Sequence, residues 1–238
     1  MNQVSEKMLL VVVAKEPVAG KVKTRLSPAL TPIEAATLYQ CMIIDRLKEI
    51  SGLDGIDLAI AFTPSHASEA FIPLARPGFA LFAQRGRDLG ERLHNIFVDA
   101  FAAGYGAVSI IGTDSPDLPK SIVRESFRLL LSHGSDVVFG PCHDGGYYLV
   151  GMREPHPELF ENIPWSTAGV LAASLQKARE LGVKTELLCW WNDLDTFEDL
   201  VDFYKKYHEK GGSLRPGMET LAFLSRLEKI NRFRSAAG

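Results

Sequence analysis

The sequence has few cysteines, no long apolar run and no surplus of positive charge, and each shortage narrows what the chain can be. Its three cysteines, Cys41, Cys142 and Cys189, stand far apart with no C-x-x-C pair. So odd and scattered a set points to a reducing compartment rather than to a disulfide framework. The longest apolar stretch near the start, Met8–Ala14, has seven residues. It is too short to span a bilayer, and with Lys15 and Glu16 directly behind it, it reads as a first core strand rather than a signal peptide. A cytoplasmic protein with no membrane span is expected. The formal net charge is −3, so neither nucleic acid nor an anionic membrane surface would be attracted overall. Any anion site must be a local basic patch. Two glycine signatures are missing as well. There is no G-x-G-x-x-G for a dinucleotide. Gly20-Lys21 is followed by Val22, with no glycine five positions before Gly20, so no Walker A loop is present.

What is there is a regular alternation of short β-branched runs with longer amphipathic stretches, the mark of an α/β protein with a mostly parallel sheet covered by helices. The runs Met8–Ala14, Ile56–Phe62, Phe79–Gln84, Ala107–Gly112, Asp136–Gly140, Tyr147–Met152 and Lys184–Cys189 are expected strands. Thr31-Pro32-Ile33-Glu34 opens a helix with a capping box and a proline in the first turn. Further helices are expected over Leu89–Ala103, Ser121–Ser132, Val170–Leu181, Phe197–Tyr207 and Glu219–Phe233. The 238 residues read as one domain, with the glycine-rich Lys210–Gly217 setting off the last helix, within 218–233, as an appendage.

Ligands of open parallel sheets gather outside the carboxyl ends of the strands, which directs attention to four loops. The first, Lys15 to Leu26, carries Lys15, Lys21, Lys23 and Arg25 against the single acid Glu16. Pro17 and Gly20 fix turns that could aim backbone N–H groups at an anion. The loop is either a solvated basic segment or a phosphate site, in which arginine supplies a planar fork and lysine a mobile point charge. The second, Gly112 to Pro119, places Asp114 directly at a strand end. Asp114 is either a ligand for a hard cation such as Mg²⁺ or a cap for the following helix, while Asp117 reads as a turn residue. The third, Pro141 to Gly146, ends in Asp144-Gly145-Gly146. It is either a tight hairpin turn or a place where a substrate approaches the backbone closely. Cys142-His143 has no partner pair at zinc spacing. In the fourth, Trp190 to Thr196, Asp193 and Asp195 would point to the same side of an extended segment. One of them could complete a metal site begun by Asp114, or Asp195 could cap the next helix.

Taken in order, these segments resemble the nucleotide-diphospho-sugar transferase superfamily, the GT-A fold, over about residues 8–205. They are most similar to its bacterial glycosyltransferase-like branch, beside the molybdenum-cofactor and 2-phospholactate guanylyltransferases. Lys15-Glu16-Pro17 with Gly20 and Lys23-Thr24-Arg25-Leu26 looks like the family's phosphate loop. Gly112-Thr113-Asp114-Ser115-Pro116 is similar to its metal-aspartate turn, and Asp144-Gly145-Gly146 to its acceptor-side loop. Asp193 to Leu200 looks like its closing motif, with Phe197 in place of a proline. Tyr147-Tyr148 depart from the family pattern after the paired glycines, so a different acceptor pocket is expected.

The resemblance implies a three-layer α/β/α sandwich with a Rossmann-like sheet. It also implies a transferase that uses Mg²⁺ or Mn²⁺, a nucleoside triphosphate or nucleotide-sugar, and a small-molecule acceptor. Lys15, Gly20, Lys21, Lys23 and Arg25 would bind phosphate, with Lys23, Arg25 and Asp114 catalytic. Asp114 and Asp195 would hold the metal, and Asp144, Gly145 and Gly146 the acceptor. The expected reaction is nucleotidyl transfer with release of pyrophosphate, because four cations match a triphosphate's charge better than a diphosphate's. Glycosyl transfer from a nucleotide-sugar and a non-catalytic nucleotide-binding regulator are the alternatives.

Overall fold

The computed structural model describes residues 7–132, 134–208 and 217–227. Its order is β1 (Met8–Lys15), α1 (Pro32–Ile50), β2 (Ile56–Thr63), α2 (Ser68–Phe71), β3 (Phe79–Ala83), α3 (Leu89–Ala102) and β4 (Ala107–Ile111). There follow α4 (Lys120–Leu131), β5 (Val137–Pro141), β6 (Tyr147–Met152), α5 (Val170–Glu180), β7 (Thr185–Leu187), α6 (Phe197–His208) and α7 (Met218–Arg226). Short 3-10 turns occupy Thr24–Leu26 and Pro157–Phe160. The seven strands form one sheet in the order β3-β2-β1-β4-β6-β5-β7. Only β6 runs antiparallel to its neighbours β4 and β5.

Strand periodicity builds the layers. In β1, Leu10, Val12 and Ala14 face a core shared with Ile43, Leu47 and Ile50 of α1 and Val123, Phe127 and Leu130 of α4. Leu9 and Val11 face the opposite core, shared with Leu93, Ile96 and Phe97 of α3 and Leu171 and Ala178 of α5. Every residue of β4 is buried, as expected for a strand covered on both faces. Each fully buried leucine or isoleucine in these layers contributes roughly 1.5–3 kcal/mol.

A third core joins the outer side of α1, through Leu38 and Met42, to Leu200, Phe203 and Tyr204 of α6 and Leu224 of α7. This corrects the expectation of an appended last helix. Asp45 of α1 accepts hydrogen bonds from the backbone N–H groups of Glu219 (2.9 Å) and Thr220 (2.8 Å). Those are orphan donors at the start of α7, satisfied from outside the helix. The expected continuation over 228–233 and most of the glycine-rich 210–217 stretch lie outside the described residues.

The chain leaves β1 toward β2 and β3 on one side and returns to β4 on the other. The carboxyl ends of β1 and β4 therefore flank the point where the strand order reverses, the place where open sheets of this kind bind ligands.

Candidate active site

At that point lies a cleft of about 430 Å³, within the range of small-ligand sites. Lys15, Lys21, Lys23, Arg25, Asp114 and Asp195 all line it. Tyr39 of α1 pins the two flanking strands together. Its hydroxyl accepts the Lys15 amide at 3.0 Å and the Thr113 hydroxyl at 3.0 Å. Burial, then the charge of Asp114, pushes the Tyr39 phenol up to about 12, so it stays protonated. The Asp195 segment is stitched on from the other side, where the Leu194 N–H donates to the Asp114 carbonyl at 2.9 Å.

Lys23 sits at the centre of the acidic side. Its ammonium lies 2.5 Å from Asp114 Oδ1 and 2.8 Å from Asp195 Oδ1, and donates to the Leu194 carbonyl at 2.9 Å. The Lys23 side chain is 5% exposed, against 45% for Asp114. Burial works against the charge of this ammonium. Asp114 and Asp195 outweigh that and hold its pKa above the ordinary lysine value. Arg25 reaches Asp195 Oδ2 at 3.4 Å from the exposed edge.

Neither acid caps the helix that follows it. Asp114 does not cap α4, whose first turn has no side-chain cap. At the start of α6, Thr196 and Asp199 exchange hydrogen bonds, the Asp199 N–H to Thr196 Oγ1 and the Thr196 N–H to Asp199 Oδ2. Asp195 is thereby left to face the cleft.

Asp193 and Asp195 take different hydrogen-bond partners. Leu194 is buried between them with both backbone polar groups engaged. Asp193 accepts instead from Ser115 Oγ at 2.5 Å and Cys142 Sγ at 3.1 Å. Cys142, Asp144 and Asp193 offer ligand atoms within 4.8 Å of one another. Burial, reinforced by Asp193, raises the Cys142 pKa, and its thiol donates to the Asp193 carboxylate.

Burial, followed by the charge of Asp114, pushes the Asp193 carboxyl up to about 6, against about 4 for an ordinary aspartate. Between these values the folded protein holds a proton that the unfolded chain has released. The stability from this site is therefore complete below about pH 4 and is lost as pH rises through about 6. Asp193→Asn, which cannot titrate, should flatten that decline. Urea midpoints from pH 4 to 8 should fall less for the variant than for the wild type, and parallel curves would contradict the assignment.

The residues expected to bind the acceptor do not themselves line the cleft. Asp144, Gly145 and Gly146 form the hairpin between β5 and β6, with the Gly146 N–H donating to Asp144 Oδ1 at 2.9 Å. Gly145, at φ +92°, is pressed against the chain itself, since a Cβ there would lie 2.1 Å from the Ala168 carbonyl oxygen. The close approach it permits is to Ala168. Tyr147 and Tyr148, which follow, do line the cleft. Gly20, at φ +76°, shapes the basic loop without lining the cleft.

Several contributors escaped the sequence reading. Arg46 is fully buried in α1, donating through Nη1 to the Leu118 carbonyl at 2.6 Å and through Nη2 to the Ser115 carbonyl. It thus holds the turn behind Asp114, and burial lowers its pKa to about 10. Its helical register with Met42 and Ile50 was the available signal. Asp117, read as a turn residue, accepts from Trp191 Nε1 (2.9 Å), Lys206 Nζ (2.9 Å) and Tyr207 Oη (2.7 Å). It ties α6 to the same turn. The segment after β3 adds Gln84, Leu89 and Arg92 to the cleft wall. Gln84 donates to the Ala61 carbonyl at 2.7 Å. A Cβ on Gly86 would meet the Arg92 backbone nitrogen at 2.7 Å, so only glycine lets this loop fold onto α3.

Among the described residues, no helix is long and apolar enough to cross a membrane. The family described as "Uncharacterized protein conserved in bacteria (DUF2064)" matches residues 46–167. A candidate nucleotide-diphospho-sugar transferase from Desulfovibrio desulfuricans G20 is 34% identical, with a TM-score of 0.85 over 95% of this chain and 97% of its own. The CMP:2-keto-3-deoxy-manno-octonic acid synthetase, solved with CTP, shares the fold at 12% identity. Its TM-score is 0.55, over 86% of this chain and 99% of its own. A cytidylyltransferase from Leptospira borgpetersenii serovar Hardjo-bovis does so at 11% identity and a TM-score of 0.54, over 94% and 96%. No curated protein sequence matches the chain. With its sheet order, its cleft at the strand reversal and these likenesses together, the chain belongs to the DUF2064 family and, with it, to the nucleotide-diphospho-sugar transferase superfamily of transferases.

Proposed function

We propose that the protein is a metal-dependent nucleotidyltransferase that joins a nucleoside triphosphate to a phosphorylated small-molecule acceptor and releases pyrophosphate. One observation carries this reading: the cations Lys15, Lys21, Lys23 and Arg25 and the acids Asp114 and Asp195 meet in a single cleft. A site for an anion alone has no use for a pair of carboxylates. A site for a metal alone has no use for the surrounding cations. Both are needed to hold a metal polyphosphate.

The two carboxylates suit a hard divalent ion. They present oxygen donors close enough to share one ammonium, which stands in for the ion, and Mg²⁺ commonly takes one or two protein carboxylates plus phosphate oxygens. Bound there, Mg²⁺ or Mn²⁺ would neutralise charge on the phosphate under attack. The acceptor's oxygen attacks the α-phosphorus, the bond to the bridging oxygen breaks and pyrophosphate departs with the charge. Lys15, Lys21 and Arg25 would hold its oxygens, a stabilisation that grows as that charge develops. Arg92 adds a further cation to the lining. Asp144 would orient the acceptor from the hairpin beside the cleft. Positioning and charge supply the rate in such transfers, and no covalent intermediate is required.

A thermal-shift panel of nucleoside triphosphates and nucleotide-sugars, with and without Mg²⁺, tests this, since a true ligand stabilises by mass action. One triphosphate is expected to give the largest shift, only with Mg²⁺, and to release pyrophosphate with a phosphorylated acceptor. A nucleotide-sugar that outdoes every triphosphate would instead make the reaction glycosyl transfer. Triphosphate binding without turnover on any acceptor would make the protein a regulator.

A further inference from the structure

The three protons of the Lys23 ammonium are all spoken for, by Asp114, Asp195 and the Leu194 carbonyl. It engages one oxygen of each of the two carboxylates on which the metal of the preceding section would rest. We propose that Lys23 is an exchangeable occupant of the metal seat: a divalent cation arriving with a polyphosphate displaces the ammonium from Asp114 and Asp195, and the freed lysine turns onto the polyphosphate. The inference rests on the metal-dependent reading and adds to it an order of events and a role for one residue.

On these two oxygens the occupants exclude each other. Metal–oxygen bonds of about 2.0–2.1 Å would place the ion where the ammonium nitrogen now sits, 2.5 and 2.8 Å from the same two oxygens. Two cations cannot share so small a space. Charge makes the exchange productive. With Arg25 only at the exposed edge of Asp195, the ammonium offers the two carboxylates a single charge, whereas a divalent ion offers two. The displaced positive charge then enters a cleft already lined by Lys15, Lys21 and Arg25, where only an incoming polyanion can compensate it. Metal and polyphosphate should therefore each strengthen the other's binding, and by the same factor.

Lysine is suited to such a move. Its ammonium is a compact charge on a flexible four-carbon stem, unlike the rigid fork of arginine. The residue stands at φ 48°, ψ 38°, a left-handed conformation that non-glycine residues adopt only where surrounding contacts hold them. The contacts that hold this side chain are the ones the metal would take.

The exchange predicts that metal affinity without polyphosphate is reduced by the fraction of time the lysine fills the seat. Mn²⁺ binding is measured by paramagnetic titration of wild type, Lys23→Met, Lys23→Arg and Asp114→Asn, with and without inorganic pyrophosphate. Lys23→Met is expected to bind Mn²⁺ alone roughly tenfold or more tightly than wild type, a lysine occupancy above nine-tenths. Pyrophosphate should tighten Mn²⁺ binding by a larger factor in wild type than in Lys23→Met. Lys23→Arg, which keeps a cation between the carboxylates, should bind Mn²⁺ no better than wild type. If Lys23→Met binds Mn²⁺ only as well as wild type while Asp114→Asn abolishes that binding, the exchange is wrong and the metal seat stands. If none of the proteins binds Mn²⁺ even with pyrophosphate, the metal-dependent reading fails and takes the exchange with it. Should Lys23→Met not fold, the ¹⁵N resonance of the Lys23 ammonium in the wild-type protein decides. Hydrogen-bonded on all sides, it should be visible and should move when Mg²⁺ and pyrophosphate are added together. A resonance unmoved at saturation overturns the proposal.

Discussion

Asp114→Asn is expected to lower turnover by about a hundredfold or more while leaving the melting temperature within a few degrees of wild type. The two halves of this expectation have different origins. The amide keeps the shape of the carboxylate and one oxygen for Lys23, which retains the charge of Asp195 and the Leu194 carbonyl, and the Asp114 side chain is 45% exposed. Tyr39, Arg46 and the Leu194 N–H hold the turn through the Thr113 hydroxyl and the backbone carbonyls of Asp114, Ser115 and Leu118, which the substitution leaves in place. What disappears is one of two negative charges opposite the basic loop. A hard cation held by a single carboxylate would lose much of its affinity and its fixed position beside the reacting phosphate. Pyrophosphate release, with the triphosphate and acceptor that the wild type turns over, is the measurement. Near-normal turnover would show that Asp114 has no part in the chemistry. A collapse of the melting temperature would make its role structural.

Arg46→Met is expected to act the other way round, on stability first. The guanidinium is fully buried and joins α1 to the carbonyls of Ser115 and Leu118. Its charge also faces the buried Asp117, which Lys206 and Tyr207 approach from α6. Methionine fills similar space but takes the Arg46 donors from the Leu118 and Ser115 carbonyls, the latter keeping only the Leu118 N–H, and leaves Asp117 with one cation fewer. Breaking buried charged pairs by removing one partner costs about 3–5 kcal/mol, a large share of the roughly 5–15 kcal/mol by which domains are stable. Urea unfolding should register that loss, and Arg46→Lys should recover only part of it because lysine cannot fork to two carbonyls. A variant within about 0.5 kcal/mol of wild type would contradict this account of the turn.

The contrast between these residues explains what could be read in advance. The strands were legible because β-branched runs such as Val11-Val12-Val13 have few other uses. The first helix was legible because Thr31 and Glu34 spell a capping box, which the structure contains, with the Thr31 N–H donating to Glu34 Oε2 at 2.7 Å. Asp114 and Asp195 were nameable because each follows an expected strand. That they meet on one lysine was not, since convergence depends on strand order, and nothing local encodes that β4 lies beside β1.

Arg46 was missed because arginine on a helix ordinarily faces water, and only its register with the apolar stripe spoke otherwise. Asp117 sits among turn-forming prolines, while its partners Trp191, Lys206 and Tyr207 lie more than 70 positions away. The last helix was set apart because glycines precede it. Its docking depends on Asp45, whose partners Glu219 and Thr220 lie 174 and 175 positions away.

Isothermal titration of inorganic pyrophosphate into the protein, with and without Mg²⁺, measures most directly whether the basic loop and the acidic pair hold one ligand between them. Binding is expected for wild type only when Mg²⁺ is present, weaker by tenfold or more in Arg25→Ala, where a charge-assisted pair worth about 1.5–3 kcal/mol is lost, and weaker again in Asp195→Asn. Magnesium-independent binding that neither substitution disturbs would mean that the cations and the carboxylates serve different purposes.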